Sequence, residues 1–386
     1  MQTKTQPAMQ TSQFQWKNLP ATSLQHDQQL ILDWDRLSAE RGDLAILASG
    51  AITSALRILG DGQERLLVAL DGADVVAMLI LCPDGKFRWK TFQPSQLPLG
   101  AWVAKQGISL PELGRSLLRG PLGICLVLSF TQIDPHVAPR TEDTPDSQHS
   151  DYIDTGWVDI EGSFETYWSA RGKNLRQNMR KQRAKLLADG VQLTMRVLRD
   201  FDDMAPAIGQ YGVLESAGWK AQKGTAIHLD NAQGRFYSEL LQQASLRDEA
   251  VVYQYLFDDK VVAMNLCLLR NGTLVVLKTT YDESIQSYSP AFLLRESELQ
   301  AFHQEGQVKR VEYFGRLMDW HTKLTSQKRT LYHLTLYRWP FVKKFAEARR
   351  LKAAADQATA ASASTIATVA ATATVAVPGA RDPGKI

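Results

Sequence analysis

The chain has 386 residues, 44% of them hydrophobic and 22% charged, with a formal net charge of +3. That length favours two domains, and that composition belongs to an ordinary globular protein. Near-neutral charge excludes a strong bulk attraction to polyanions, and no stretch reaches the roughly 20 apolar residues that cross a bilayer.

In chain order, residues 1–25 are Gln/Thr-rich without an apolar core, so they are expected to be disordered and to carry no signal peptide. Helical and strand-like pieces run from Gln28 to Leu59. A three-strand meander follows to Phe92, then a helix at Leu110–Leu118 and a buried strand at Gly123–Phe130. The polar, proline-rich stretch Asp134–Asp151 is the expected linker. A long helix is expected over Ser163–Ala188, closed by Gly190, then a strand at Val191–Leu198 and helices at Phe201–Ala217 and Ala232–Ala244. A second meander leads to a helix at Pro290–Glu305, strands at Val308–Phe314 and Leu331–Arg338, and a basic amphipathic helix at Trp339–Ala355. The Ala/Thr/Ser/Val-rich tail after it is expected to be disordered. Three scattered cysteines in apolar runs read as buried thiols in a reducing compartment, and the seven histidines show no metal-ligand spacing. The expected location is the cytoplasm, with no metal.

The meanders repeat each other. Val75-Val76-Ala77-Met78 returns as Val261-Val262-Ala263-Met264, each run following a strand and an Asp-containing turn. Asp84-Gly85 and Asn271-Gly272 then close the second hairpins, as turns that need positive φ. Duplication predicts two similar α/β units, over residues 26–150 and 151–355, with a site in or between them. The first copy runs from Phe92 into a stretch containing Pro94 and Pro98, where a comparable helix start is not expected. The chemistry is therefore expected around the second copy, with the first forming the opposite wall.

Residues 169–185 carry seven positive charges and no acid. At helical spacing Leu175, Met179 and Leu186 form an apolar stripe, while Lys173, Arg176, Arg180 and Arg183 form a cationic face. That face is either a solvated surface or an anion-binding wall.

Phe164-Glu165-x-Tyr167-Trp168-x-x-Arg171-x-Lys173-Asn174-Leu175-Arg176 with Asn178, Arg180 and Arg183 resembles one block of a bacterial acetyltransferase family. Leu214-Glu215-x-x-Gly218-Trp219-Lys220 with Gly224-Thr225, and Tyr281-Asp282-Glu283 with Tyr288-Ser289-Pro290, resemble its next blocks. The family is the GNAT-related one of the CelD/BcsL type, from cellulose and exopolysaccharide biosynthesis, distantly related to the FemABX peptidyltransferases. The resemblance spans about Phe164 to Tyr337 and implies a tandem GNAT-like α/β fold, with two mixed sheets flanked by helices. It implies acyl-CoA, acetyl-CoA above all, as co-substrate and an amino-sugar or polysaccharide precursor as acceptor, within a possible polysaccharide-synthesis complex.

Ser289-Pro290 reads as a helix N-cap and first residue. The resemblance makes that helix entrance the holder of the acyl-CoA pyrophosphate, through Ser289, Pro290, Ala291 and Phe292, with Lys278 and Lys323 as cations. The family pattern has glycine where this chain has Ala291. Direct attack on the thioester needs a base, and Glu215, Asp282 and Glu312 are the candidates. Tyr281 and Tyr288 are candidate proton donors to the leaving thiolate. Trp219, Lys220, Arg176 and Arg180 are the expected acceptor-binding residues. Two other readings stay open: a FemABX-like transferase using aminoacyl-tRNA, and a non-catalytic scaffold of the same fold.

Overall fold

The computed structural model describes residues 14–216, 227–352 and 355–356. Among the described residues thirteen strands form one sheet. They are β1 (Gln15–Pro20), β2 (Arg65–Asp71), β3 (Asp74–Pro83), β4 (Arg88–Thr91), β5 (Trp102–Ala104), β6 (Val127–Ile133), β7 (Ser147–Asp159), β8 (Leu193–Leu198), β9 (Ala250–Phe257), β10 (Lys260–Arg270), β11 (Thr273–Tyr281), β12 (Arg310–Glu312) and β13 (Lys328–Tyr337). Their order is β1-β2-β3-β4-β6-β13-β7-β12-β11-β10-β9-β8, with β5 paired to β3 beside β4. Among the described residues the helices include α1 (Gln28–Glu40), α2 (Ser49–Leu59), α3 (Leu110–Arg119), α4 (Phe164–Ser169), α5 (Lys173–Ala188), α6 (Phe201–Ser216), α7 (Ala232–Ser245), α8 (Pro290–Glu305) and α9 (Asp319–Thr322).

The repeat is real in three dimensions. The antiparallel run β1-β2-β3-β4 matches β8-β9-β10-β11, and each run then meets a parallel partner, β6 or β12. The β10–β11 turn uses Asn271 (φ 48°) and Gly272 (φ 77°), the paired positive φ values that Asn-Gly tolerates.

The halves are not separate, because their last strands are exchanged. Strand β6 pairs with β13, from the far end of the chain, while β12 pairs with β7. Strands β7 and β13 then pair with each other and make the sheet continuous. The expected boundary at 150/151 is therefore crossed by hydrogen bonds, and part of the expected linker is β7. On one face, α1, α2, α6 and α7 share a single apolar core drawn from both halves. The other face carries two cores, one under α3 and one under α4, α5 and α8.

Several expected boundaries move for local reasons. Residues 15–20, expected to be disordered, form β1 because the edge of β2 gives their backbone groups partners. The long basic helix breaks at residues 170–172, where Gly172 caps α5. There the Tyr167 hydroxyl and Arg171 Nη1 both donate to the Leu324 carbonyl, at 2.7 and 2.5 Å. The predicted stripe holds: Leu175, Met179 and Leu186 are the buried residues of α5. The strand expected at Val308–Phe314 shortens to β12. Residues 340–352 are helical, as the sequence indicates. The expected tail from 357 onward lies outside the described residues. Among the described residues no helix is long and apolar enough to cross a membrane.

The exchanged strands are pinned by buried charge. Arg329 on β13 donates from Nε and Nη2 to Asp134, just past β6, at 2.8 and 2.7 Å, and from Nη2 to Glu312 on β12 at 2.9 Å. Glu312, a candidate base in the sequence, is thus committed to this ion triad. Burial pushes its carboxyl up to about 7 against the attraction of Arg329. Arg329→Met would leave two buried carboxylates without their cation and should cost about 3–5 kcal/mol. Urea unfolding monitored by circular dichroism checks this, and a loss under about 1 kcal/mol would contradict the role given to the triad.

Candidate functional site

Strands β11 and β12 are parallel only over Thr273–Val275 and Arg310–Glu312. Beyond that, β11 runs on to Tyr281 while the other chain turns away through Phe314, at φ 49°. The split opens a cleft of about 330 Å³ at the end of β11. Thr279, Thr280 and Tyr281 form its floor, Leu214 and Glu215 at the end of α6 one wall, and Ser289–Phe292 at the start of α8 another.

Glu215 is 4% exposed, and one carboxylate oxygen accepts from the Ile227 N–H at 2.8 Å. One turn earlier, the Tyr211 hydroxyl donates to the Thr279 carbonyl at 2.9 Å and ties α6 to the floor. Tyr281 lines the cleft, and burial, aided by Glu283, raises its phenol pKa, so it stays protonated.

Beside the floor lies a charged layer absent from the sequence reading, and its Arg295, with Trp320, also lines the cleft. Arg295 on α8, 5% exposed, donates to Thr279 Oγ1 at 2.9 Å and lies 3.9 Å from the Trp320 ring centroid. Trp320 stacks on His321 at 3.5 Å. His321 Nδ1 accepts from the Met318 N–H, and burial with Arg295 lowers its pKa to about 4. That imidazole is neutral at physiological pH and its acceptor nitrogen is spent, so His321 is a packing residue. Glu298, one turn along α8, accepts from Asn265 Nδ2 at 2.7 Å. Burial raises its carboxyl to about 7, opposed by Arg295 and by the Asn265 hydrogen bond. The signal in the sequence is Arg295 and Glu298 at i, i+3 among the apolar Leu293, Leu294 and Leu299.

The helix entrance differs from the expected cap. Ser289 is left-handed (φ 55°, ψ 50°), its side chain makes no cap hydrogen bond, and its Oγ accepts from Asn178 Nδ2 on α5 at 3.3 Å. Pro290 has no N–H, and the Ala291 amide lies in the first turn, where no intrahelical acceptor exists. Ala291 is not among the positive-φ residues, so alanine in place of glycine strains nothing there. A groove on the far side of the same entrance is lined by Arg171, Asn174, Asn178, Ser289, Phe292 and Lys323. The Lys323 ammonium sits 5.4 Å from the Phe292 ring. Ser289 and Phe292 line both spaces, and the first turns of α5 and α8 meet there.

Other expected site residues lie elsewhere. Asp282 accepts from Lys260 Nζ at 2.7 Å and from the Ser284 N–H at 3.0 Å. Burial opposes its ionisation, but these bonds win and hold the carboxyl below its usual value, so it caps a turn instead of serving as a base. Lys278 lies 5.7 Å from the Tyr237 ring and lines a separate cavity at the junction of the halves. Residues 95–98 line that same cavity, whereas every residue lining the cleft belongs to the second half, so the first half does not form the cleft's expected opposite wall. Arg176 donates to the Arg171 carbonyl and Arg180 is exposed; neither lines the cleft or the groove. Arg183 pairs with Glu296 on α8 at 2.8 Å. Tyr288 carries Lys185 over its ring at 4.7 Å. Trp219 and Lys220 lie outside the described residues.

Residues 173–322 match the acetyltransferase (GNAT) domain family. No curated protein matches the chain in sequence. The fold is similar to that of the C-terminal domain of a protein described as a lysylphosphatidylglycerol synthetase from Agrobacterium fabrum. Identity is 15% and the TM-score 0.51, over 79% of this chain and 91% of that one. It is also similar to that of FemX, at 8% identity and a TM-score of 0.50, over 85% and 99% of the two chains. The domain match supports an acyltransferase. More particularly, residues 173–322 are similar to the acetyltransferase (GNAT) domain, within a tandem α/β architecture.

Glu298 gives a test of the layer beside the cleft floor. Its folded pKa, about 7, lies above the ordinary 4.5. Between those values the unfolded chain loses this proton first, so stability falls as pH rises through the window. Glu298→Gln keeps the acceptor for Asn265 and should flatten that fall. Thermal midpoints of both proteins from pH 4.5 to 7 check it, and parallel curves would contradict it.

Proposed function

We propose that the protein transfers an acyl group from acyl-CoA, with acetyl-CoA as the leading donor, by direct attack of an amine or hydroxyl on the thioester. The observation that carries this reading is the cleft at the β11–β12 split, which joins a buried carboxylate to a free helix entrance inside the matched domain.

The groove by Asn178, Ser289 and Lys323, at the meeting of two helix N-termini, suits the donor's phosphates. The edge of β11 beyond Val275, left by β12, suits an extended amide-bearing chain. The thioester carbonyl would then lie near Thr280 and Tyr281. Glu215 accepts the proton as the acceptor's nitrogen or oxygen bonds to the carbonyl carbon. The carbon–sulfur bond breaks, and Tyr281 donates its proton to the departing thiolate. An amino-sugar or polysaccharide-precursor acceptor rests on the resemblance of the three sequence blocks to CelD/BcsL-type proteins.

Aminoacyl-tRNA as donor is the second reading, favoured by the cations of α5. Arg171 and Arg183 are spent on contacts within the chain, which weakens it. Binding of tRNA that falls steeply with salt would select it.

Millimolar acetyl-CoA should raise the thermal midpoint, and no shift would count against the donor assignment. Glu215→Gln should lower kcat by about 10²–10⁴-fold with acetyl-CoA stabilisation unchanged. A variant of near-normal kcat would remove Glu215 from the mechanism.

A further inference from the structure

We infer that the first half of the sheet holds a second ligand site, a pocket built around Arg41 that binds the carboxylate of a small, otherwise apolar molecule. This does not depend on the acyl donor proposed above.

The place is defined by the repeat. Ala77 and Leu79 on β3 pair with Ala104 and Trp102, as Ala263 and Asn265 on β10 pair with Tyr281 and Thr279. Residues Trp102–Ala104 therefore hold the position of the cleft floor Thr279–Tyr281. Residues 92–101 bulge out of the strand and rejoin it. The helix start that the prolines seemed to rule out comes later, at Ser109-Leu110-Pro111, where Ser109 Oγ accepts from the Glu112 N–H. A cavity of about 410 Å³ opens beside it.

Arg41 directly follows α1 and is 2% exposed. Its Nη1 donates to the carbonyls of Gly100, at 3.1 Å, and Trp102. It thus takes the strand carbonyl that corresponds to Thr279, which Tyr211 takes in the second half. Its Nε and Nη2 have no hydrogen-bond partner, and neither does the buried Trp102 Nε1. Arg41 lies 3.5 Å over the Trp102 ring and lines the cavity.

The unpaired atoms specify the ligand. Nε and Nη2 share one edge of the guanidinium, and their parallel N–H groups match the two oxygens of a carboxylate. Arg115 and Arg329 spend that same edge on Asp146 and Asp134. The nearby Asp134 is already held by Arg329. Glu40 on the cavity rim is held by the Gln106 N–H at 2.9 Å and by Arg36 at 3.9 Å. A buried guanidinium left without its anion is costly, and burial lowers this one to about 9 against the pull of Asp134 and Tyr332. Part of the remaining wall is apolar, including Ile108, Leu110, Val137 and Leu334, and the rest is polar, including Lys105, His136 and His149. One carboxylate on an apolar body satisfies both parts.

Phenylacetate is a suitable probe, with 2-phenylethanol and phenethylamine as controls of matching shape. Titration calorimetry on the full chain should show phenylacetate binding and neither control binding. Arg41→Met should weaken it by about 10–100-fold, the loss of a charged, paired hydrogen bond. Should that variant fail to fold, Trp102→Phe keeps the ring, removes the unpaired N–H and should weaken binding measurably. Ser289→Ala, in the other cleft, should leave it unchanged. Equal binding of acid and alcohol, no binding of phenylacetate, insensitivity to the variant that folds, or sensitivity to Ser289→Ala would each overturn the proposal.

Discussion

The structure depends on the strand exchange held by Arg329. Each half-sheet stops one strand short with its own neighbours, and each is completed by a strand from elsewhere in the chain: β13 beside β6, and β7 beside β12. An exposed sheet edge is a liability, and the exchange removes two of them at once. Arg329, Asp134 and Glu312, each about 5% exposed, meet where the exchanged strands cross. Burying three charges together is favourable only if every partner is present, so the triad makes that one register hard to leave. The shared core under α1, α2, α6 and α7 follows from it, because the join places the two helix pairs side by side.

The cleft is a consequence of the same arrangement. Because β12 is held by β7 and by Arg329, it cannot follow β11 along its whole length. The two strands separate after three paired residues, and the split becomes the site. The charged layer of Arg295, Glu298 and Asn265 lies beside the floor, with Arg295 lining the cleft, and fixes α8 against β10 and β11. Its polar atoms are out of water, so it ties the helix entrance to the strand end more firmly than apolar packing alone. The first half repeats the strand end and the capped helix, with Arg41 taking the strand carbonyl that Tyr211 takes in the second.

Much of this was legible in the residues. The Val-Val-Ala-Met echo and its turns reported the duplication, since hairpin turns are local and residue-specific. The apolar stripe of α5 reported its buried face, and the placement of Ser289 and Pro290 reported where α8 begins. Glu215 was found through its block, and the structure places it in the cleft. Other assignments depended on partners distant in sequence. Asp282 and Glu312 read as bases only until Lys260 and Arg329 occupy them. Lys278 lies one residue from the cleft floor, and strand alternation turns it toward Tyr237. The prolines at 94 and 98 hid the first capped helix because a ten-residue bulge separates the strand from its continuation.

The sequence by itself determined the repeat, the element types, the apolar faces and the helix entrance, since these rest on local periodicity and turn chemistry. Only the tertiary structure decided which strand completes which half-sheet, which carboxylates face the cleft and which arginine is left without an anion. Those outcomes depend on pairings between different elements, from Arg329 with Glu312, 17 positions apart, to Arg329 with Asp134, 195 apart, and nothing local encodes them.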